Sequence, residues 1–192
     1  MDTNLKVDNT KETPLVSVLM LTYNGGRFIK EAIQSVLGQT YTHLELIIID
    51  DGSTDTTQKI VQGCIDSRIR YIRHKQNAGL LMRRKESLNL PSGTYVAVLD
   101  SDDLWLPDKL EKQVAHLNTH ADCALVGTWI TRISEEGESI GTTKYNSDDQ
   151  SIRASILMRN QFAHSSVLMR KSALDKTEGY RFPLDEDLDL FL

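Results

Sequence analysis

The sequence predicts an α/β fold with a mostly parallel sheet flanked by helices, and three observations support this prediction. Short apolar runs rich in β-branched residues alternate with amphipathic stretches along the chain. Several of these runs are apolar on both faces, as strands are when helices cover both sides of a sheet. The 192 residues are 40% hydrophobic and 26% charged, a balance that supports a buried core and argues against a disordered chain.

Six apolar segments are the predicted strands, and amphipathic segments between them are the predicted helices. The strands are expected at residues 15–22, 44–50, 69–73, 95–100, 123–130 and 165–169. Apolar residues at helical spacing predict helices over residues 28–37 and 106–117, with Pro107 in the first turn of the second. A further helix is expected around residues 152–157. Because strand and helix alternate, successive strands are expected to be parallel and joined by right-handed crossovers.

Both ends of the sequence differ from its centre. Residues 1–13 are polar and aperiodic, so they are expected to form a flexible arm before a folded region at residues 14–192. After residue 130 the alternation of strand and helix loosens, which indicates a lobe added to the first sheet. A helical pattern over residues 184–191 continues to the end of the sequence, which predicts a domain truncated at its C-terminus.

Charge, cysteine content and hydropathy exclude several classes of protein. The formal net charge of -5 gives no attraction to nucleic acid or to an anionic membrane. No apolar run approaches the roughly 18 residues of a membrane span, and residues 1–13 lack the apolar centre of a secretory signal. Cys64 and Cys123 have no CxxC or metal-ligand spacing, so both are expected to be reduced, buried thiols. The sequence therefore predicts a cytoplasmic protein with no nucleic-acid partner and no membrane span.

Groups of acidic residues lie at the ends of two of the predicted strands. The first group is Asp50 and Asp51, and the second is Asp100, Asp102 and Asp103. In open α/β sheets ligands bind outside the carboxyl ends of the strands, so the two groups are expected to converge on a ligand. Like charges placed this close raise each other's pKa unless a cation or hydrogen-bond donors compensate.

The spacing of Asp100 and Asp102 suits one hard cation. Two neighbouring carboxylates provide the oxygen ligands that Mg²⁺ and Mn²⁺ bind, and these ions commonly share phosphate oxygens of a substrate. The pattern therefore predicts a divalent cation held against a diphosphate. An alternative is that the acids only form turns and cap the following helices. Capping accounts for Ser53 or Thr54, but not for doubled acids after two separate apolar strands.

Further polar residues each have two open interpretations. Arg83 and Arg84 lie in a predicted helix after residues 77–79, where an arginine pairs with phosphate or a base edge, or forms part of a solvated basic face. An acid of residues 186–187 is a general base if the fold returns it to the strand ends, or part of a solvated helix face. A lone histidine such as His164 is more often structural than catalytic.

Five segments together resemble the family 2 glycosyltransferases, in the order and with the spacing of that family. They are residues 16–41, 44–57, 77–80, 94–114 and 186–190, and the resemblance covers about residues 15–192. It implies the GT-A fold, a Rossmann-like, mostly parallel sheet flanked by helices, with a partial acceptor-binding lobe. The nucleotide-binding part is then expected at about residues 14–104 and the acceptor-side part at about residues 105–192.

The resemblance also implies an activity, the inverting transfer of a sugar from a nucleoside diphosphate sugar, expected to be a UDP-sugar, with Mn²⁺ or Mg²⁺ as cofactor. The expected acceptor is a glycan, a lipid-linked molecule or a protein in polysaccharide or glycoconjugate biosynthesis. A lipid-linked acceptor would place the protein peripherally at the inner face of the membrane. Two alternatives stay open: a non-catalytic domain that holds nucleotide sugar, and a nicotinamide-dependent enzyme, although the GxGxxG fingerprint is missing.

Site residues are implied where this sequence matches the motifs of the family. The positions implied around the nucleoside are Thr22, Tyr23, Asp50 and Asp51, with an acid expected to contact the base. The DxD motif implies Asp100 near the ribose and the metal, Asp102 on the metal and Asp103 towards the donor sugar.

Two more positions are implied by motifs outside these strand ends. Asp187 matches the acid of the family's ED motif, the catalytic base that takes the proton from the acceptor hydroxyl. Arg84 keeps its counterpart in the Ala-Arg-Asn segment of the family, and is implied as a donor contact. Arg83, Lys85 and Ser87 depart from that segment and from the glycine that follows it.

Overall fold

The computed structural model describes residues 13–181, and its secondary structure alternates strands and helices as the sequence predicts. The strands are β1 (Val16–Thr22), β2 (Leu44–Asp50), β3 (Ile69–Arg73), β4 (Tyr95–Val98), β5 (Leu125–Val126), β6 (Ile130–Ile133), β7 (Ser139–Thr143) and β8 (Leu168–Arg170). The helices are α1 (Ile29–Leu37), α2 (Thr57–Gly63), α3 (Leu80–Ser87), α4 (Lys109–Thr119), α5 (Asp149–Ser155) and α6 (Lys171–Leu174), with a 3-10 turn at His164–Ser166.

Six strands form one sheet in the order β3-β2-β1-β4-β8-β5. Strands β3, β2, β1 and β4 are mutually parallel, while β8 runs antiparallel to both β4 and β5. Strands β6 and β7 form a separate antiparallel hairpin. The predicted α/β fold with a mostly parallel sheet flanked by helices is therefore confirmed.

Buried apolar clusters cover both faces of the sheet, as the doubly apolar strands predict. On one face, Ile33 of α1 and Leu110 of α4 belong to the same cluster as Val18 of β1. On the other face, Leu19 of β1 belongs to a cluster with Tyr180. Each aliphatic side chain buried in this way contributes about 1.5–3 kcal/mol before the loss of conformational entropy is counted. This double cover holds the parallel strands rigidly in register, so their carboxyl ends form a fixed edge.

Two predicted strands in the second half of the chain are wrong in their bounds. The segment predicted at residues 123–130 is divided between β5 and β6. At the division, Gly127 lies against the ring of Phe162. A Cβ added to Gly127 would come within 2.6 Å of the Cδ1 atom of that ring, so a larger residue would not fit. The strand predicted at residues 165–169 begins only at Leu168, since His164–Ser166 forms a 3-10 turn below the end of β4.

The end of β4 and the start of α4 also differ from the prediction. Strand β4 ends at Val98 rather than at residue 100, because the chain turns there and the Asp103 N–H donates to the Asp100 carbonyl at 3.1 Å. Helix α4 begins at Lys109, so Pro107 precedes the helix instead of lying in its first turn.

Arg170 connects β8 to the end of α4. Its Nε donates to the Cys123 carbonyl at 2.8 Å, and its Nη2 donates to the carbonyls of Leu117 at 2.6 Å and His120 at 3.0 Å. The carbonyls at the C-terminus of a helix lack partners within the helix and favour a cation. The guanidinium therefore fixes β8 against α4, and with it the turn that precedes β8.

Some predictions concern residues beyond this range or side chains at its surface. Apart from Thr13, the predicted arm at residues 1–13 lies outside the described residues, and so does Asp187. Cys64 and Cys123 are free thiols, but they are partly exposed rather than buried as predicted. Between residues 13 and 181, no helix combines the length and the apolar composition that crossing a bilayer requires.

Candidate functional site

A cleft of about 530 Å³ lies at the carboxyl ends of β1, β2 and β4. The predicted site residues that line it are Thr22, Tyr23, Asp51, Arg84, Asp100 and Asp102. A wider groove of about 930 Å³ lies near residues 13–15, 40–43 and Thr94, but none of the residues that line it is acidic. The groups with the expected chemistry therefore converge in the smaller cleft, at the edge of the sheet where ligands bind in open α/β folds.

The turn after β1 brings backbone close to the DxD loop. Asn24 has a positive φ of 53°, and its N–H donates to Ser53 Oγ at 2.9 Å. A Cβ on Gly25 would overlap Thr22 Oγ1 and would lie 3.2 Å from Ser101 Oγ, so this close approach requires glycine. The buried Thr22 hydroxyl makes no hydrogen bond to any residue from 13 to 181. It is therefore a polar group available to a ligand in the cleft.

Asp50 and Asp51 are neighbours in sequence, but their carboxylates have different surroundings. The fully buried Asp50 accepts hydrogen bonds from the Ser53 N–H at 2.7 Å and from the Tyr71 hydroxyl at 2.5 Å. Arg73 Nε lies 3.7 Å from the same carboxylate. Burial and the nearby Asp50 charge raise the pKa of Tyr71. Asp50 is not among the residues that line the cleft, and its hydrogen bonds join the end of β2 to Ser53 and to Tyr71 of β3.

Asp51 does line the cleft, and four hydrogen bonds hold its carboxylate. Oδ1 accepts from the Ala78 N–H at 2.9 Å and from Arg83 Nε at 2.6 Å. Oδ2 accepts from the N–H groups of Gly79 at 2.9 Å and Ala78 at 3.1 Å. Burial favours the protonated form, but the bonds from Ala78, Arg83 and Gly79 outweigh it and hold the pKa of Asp51 below its usual value. Asp51 is therefore an anion fixed in direction.

Asp100 is held at the end of β4 by groups from two distant segments. Its N–H donates to Ser165 Oγ at 3.0 Å, and its Oδ1 lies 3.5 Å from both Arg84 Nη2 and His164 Nδ1. Burial alone would raise the pKa of Asp100. The imidazole of His164 and the guanidinium of Arg84 outweigh this effect, so the pKa lies below its usual value.

Asp102 and Asp103 follow Asp100 in an exposed turn. Asp102 lines the cleft with an exposed carboxylate, whereas Asp103 is not among the lining residues. Surrounding protein atoms raise the pKa of Asp103, and the charges of Asp100 and Asp102 add to this effect. A hydrogen bond with Ser165 acts in the opposite direction. Of the two acids, Asp102 is therefore the one that lines the cleft.

The oxygen ligands of this loop fit a divalent cation that binds together with a substrate. Asp100 and Asp102 offer carboxylate oxygens, which are hard ligands suited to Mg²⁺ or Mn²⁺. No group of three or more His, Cys, Asp or Glu side chains in residues 13–181 is arranged to hold a metal ion. Magnesium-like ions commonly use one or two carboxylates and complete their shell with water and substrate phosphates. The loop therefore suits an ion shared with a diphosphate rather than a closed metal site.

Sequence reasoning missed several residues of this site. Ser165 and Tyr180 were not predicted, Arg83 was left open between a phosphate or base contact and a solvated face, and His164 was judged more often structural. In the structure, the Tyr180 hydroxyl lies 2.9 Å from His164 Nε2, and the Arg84 guanidinium lies 5.6 Å from the centre of the Tyr180 ring. The only signal in the sequence is a polar His-Ser-Ser run before an apolar strand, which does not identify its partners.

Comparison with known proteins assigns the chain to a family. Residues 17–177 match the sequence model of the family described as Glycosyl transferase family 2. The chain belongs to this family, and the resemblance seen in its motifs is thereby confirmed. It is 37% identical over 186 residues to the putative glycosyltransferase EpsE of Bacillus subtilis (strain 168), covering 93% of this chain and 66% of that protein.

Another relative supports the same assignment, and two solved structures share the fold. The putative teichuronic acid biosynthesis glycosyltransferase TuaG of Bacillus subtilis (strain 168) is 41% identical over 130 residues, 67% of this chain and 51% of that protein. S. aureus TarS 1-349 in complex with UDP-GlcNAc matches with a TM-score of 0.72 at 21% identity, over 91% of this chain and 52% of that one.

The second solved structure is the mannosyltransferase PcManGT from Pyrobaculum calidifontis in complex with GDP-Man and Mn²⁺. It matches with a TM-score of 0.68 at 19% identity, over 93% of this chain and 51% of that one. The similarity in structure shows the GT-A type of fold. The chain spans from about half to two thirds of the length of these proteins.

Proposed function

We propose that this chain forms the donor site of an inverting glycosyltransferase, which moves a sugar from a UDP-sugar to an acceptor hydroxyl with a divalent cation. The observation that carries the proposal is the pairing, in one cleft, of the fixed anion Asp51 with the carboxylates of Asp100 and Asp102. A nucleoside diphosphate needs both kinds of group, because its base offers N–H donors and its diphosphate binds through a cation.

Three residues at the ends of β1 and β2 are proposed to bind the nucleoside. The half-exposed Tyr23 ring offers a flat apolar surface against which a base stacks. The Asp51 carboxylate accepts from an N–H on the edge of the base, and uracil has such a group. The Thr22 hydroxyl, which has no hydrogen bond in residues 13–181, donates to or accepts from the bound nucleotide.

The diphosphate and ribose are proposed to lie beside the DxD loop. Asp102 would bind the cation. Asp100, which Ser165 and His164 hold in place, would be a second ligand of the cation and would accept a hydrogen bond from a ribose hydroxyl. Arg84 lies beside Asp100 and provides a guanidinium for a phosphate oxygen. When bound, the divalent cation neutralises negative charge on the leaving diphosphate. Asp103 is kept as a proposed contact of the donor sugar, from a position just outside the described cleft.

Asp187 is proposed as the catalytic base. It takes the proton from the acceptor hydroxyl while that oxygen attacks the anomeric carbon from the face opposite the diphosphate, so a single displacement inverts the configuration. Tyr180 supports this role, because it contacts His164, which in turn faces Asp100. The chain is therefore next to the DxD loop only seven residues before Asp187, a reach of at most about 25 Å.

The names of the relatives support a role in polysaccharide or glycoconjugate assembly. TuaG is named for teichuronic acid biosynthesis, and a relative from Escherichia coli is named as using UDP-Glc and a diphosphoundecaprenol-linked acceptor. We therefore propose a glycan, lipid-linked or protein acceptor bound by residues 105–192, with the donor bound by residues 14–104. Action in the cytoplasm, at the inner face of the membrane for a lipid-linked acceptor, is part of the same proposal.

Calorimetric titration of UDP into the protein tests the proposal. Binding is expected with Mn²⁺ and is expected to disappear with EDTA or in Asp102→Ala, because the cation joins that carboxylate to the diphosphate. GDP is the comparison ligand, since PcManGT is named with GDP-Man. Binding that persists unchanged without metal would refute the assignment of the DxD loop. Metal-dependent binding without any turnover of UDP-sugars would instead indicate a domain that only holds the donor.

A further inference from the structure

Arg83 lies on the wall of the cleft and bonds directly to its fixed anion. Its Nε lies 2.6 Å from Asp51 Oδ1, and only 12% of the Arg83 side chain is exposed. Its Nη1 donates to Glu86 Oε2 at 2.9 Å, and its Nη2 donates to the Gln76 carbonyl at 3.2 Å. The planar guanidinium is thus shared among the end of β2, the loop before α3 and α3 itself.

The loop before α3 also contacts the end of β2 through backbone groups. Gly52 has a φ of 79°, and a Cβ there would come within 2.8 Å of the Gln76 carbonyl carbon, so the two loops are in close backbone contact. Gly79, with a φ of 90°, directs its N–H towards Asp51 together with Ala78. Arg83 bonds to both sides of this contact, and so holds the N–H groups in place as well as the carboxylate.

We propose that Arg83 is a positioning residue for Asp51, which fixes the direction and the negative charge of the carboxylate so that it accepts from the base of the bound nucleotide. The inference rests on the proposed donor site and goes beyond it, because the affinity for the nucleotide then depends on a residue that need not touch it. Arg84, the next residue, faces Asp100 instead, so the two arginines serve opposite parts of the cleft.

The charges around Asp51 give the expected direction of the pH effect. Burial favours its protonated form, and the bonds from Ala78, Arg83 and Gly79 oppose this. Without Arg83 the pKa of Asp51 rises, so the carboxylate becomes protonated, and base binding is lost, at a higher pH. Other charged or titratable groups near this contact include Glu86 and His74 behind Arg83, the Asp50–Arg73 pair at the ends of β2 and β3, and Tyr23, Arg84, Asp100 and Asp102 in the cleft. These groups are present in every variant, but Glu86 loses its ion pair with Arg83 and keeps its contact with His74.

The test is UDP binding with Mn²⁺ from pH 8 down to about pH 3.5, a range that includes the usual pKa of an aspartate, for the natural protein, Arg83→Ala and Arg83→Lys. At pH 8 the alanine variant is expected to bind UDP about tenfold more weakly, the effect of losing a charge-assisted hydrogen bond. Its loss of binding on acidification is expected to begin at a higher pH. Arg83→Lys keeps the positive charge but not the planar guanidinium. Its UDP affinity and its acid limb are therefore expected to lie between those of the natural protein and those of Arg83→Ala.

Arg153→Ala is the matched control, because Arg153 forms an exposed pair with Asp149 on α5 at 2.7 Å. It is expected to bind UDP with the pH dependence of the natural protein. Should Arg83→Ala fail to fold, Arg83→Lys carries the test, and its pH profile must still shift. An unshifted acid limb with undiminished affinity in a folded Arg83 variant overturns this inference and leaves the donor site standing. Absence of metal-dependent binding in the natural protein overturns both.

Discussion

Replacing Lys109 by methionine is expected to make the stability of this protein less dependent on pH. The Lys109 side chain is buried, with 7% of the residue exposed, at the first position of α4. Its Nζ donates to Gln113 Oε1 at 2.8 Å and lies 4.0 Å from the centre of the Trp105 ring. No acidic side chain in residues 13–181 pairs with it. Burial therefore lowers the pKa of Lys109 to about 7.

The sign of the pH dependence follows from the number of protons that the folded and unfolded chains bind. Between pH 7 and 10.5 the unfolded chain keeps the proton on this lysine while the folded protein releases it, so stability rises with pH. With these two pKa values, the free energy of unfolding gains about 2–3 kcal/mol between pH 6 and pH 9. Contact of the ammonium with the Trp105 ring and Gln113 makes this an upper value, because a cation over an aromatic face is itself stabilised.

Urea unfolding at pH 6, 7, 8 and 9 measures the effect in the natural protein and in Lys109→Met. The variant is expected to be more stable at pH 6, and its advantage is expected to shrink by about 2 kcal/mol by pH 9. Lys112→Met is the control on the same helix, because Lys112 is exposed and pairs with Asp108. Parallel pH curves for the natural protein and Lys109→Met would refute the reasoning, since they would mean that Lys109 stays charged in the folded protein.

Three further substitutions test the proposed site. Gly25→Ala is expected to destabilise the protein by about 1–3 kcal/mol and to weaken UDP binding, because the added Cβ would overlap Thr22 Oγ1. Urea unfolding measures the loss of stability, and an unchanged urea midpoint would contradict this expectation. Ser165→Ala removes the acceptor of the Asp100 N–H and is expected to cost about 1–2 kcal/mol of stability and to weaken metal-dependent UDP binding; Ser155→Ala, on α5, serves as its control. Asp187→Asn is expected to keep UDP binding in calorimetry and to lose sugar transfer, and equal loss of both would remove Asp187 from the catalytic role.

Hydrophobic periodicity was sufficient for the centre of the fold. The predicted bounds of β2 and β3 agree with the structure, because these strands are apolar, β-branched and flanked by turns. The single strand predicted at residues 123–130 is wrong, and hydrophobic periodicity does not indicate why. Its division at Gly127 depends on the ring of Phe162, a contact between residues far apart in the sequence.

The candidate site was predictable to the level of strand ends, but not to the level of side-chain direction. Asp50 at the end of β2 and Asp51 after it were both predicted around the nucleoside, yet of the two only Asp51 lines the cleft, since Tyr71 and Ser53 bind the Asp50 carboxylate. The partners of Asp51 and Asp100 come from α3, from the loop before it and from the turn before β8. Such partners follow from tertiary structure, and a single sequence does not indicate which arginine will meet which carboxylate.

The antiparallel strand β8 makes the two halves of the chain inseparable in practice. It pairs with β4 through Tyr95, Val96 and Ala97, and thereby satisfies backbone groups that a fragment ending near residue 104 would leave bare. An uncovered central strand of this kind recruits strands from other molecules, so such a fragment is expected to aggregate rather than to act as a small nucleotide-binding module. Engineering of this family member for altered donors therefore has to retain the chain through at least Arg170.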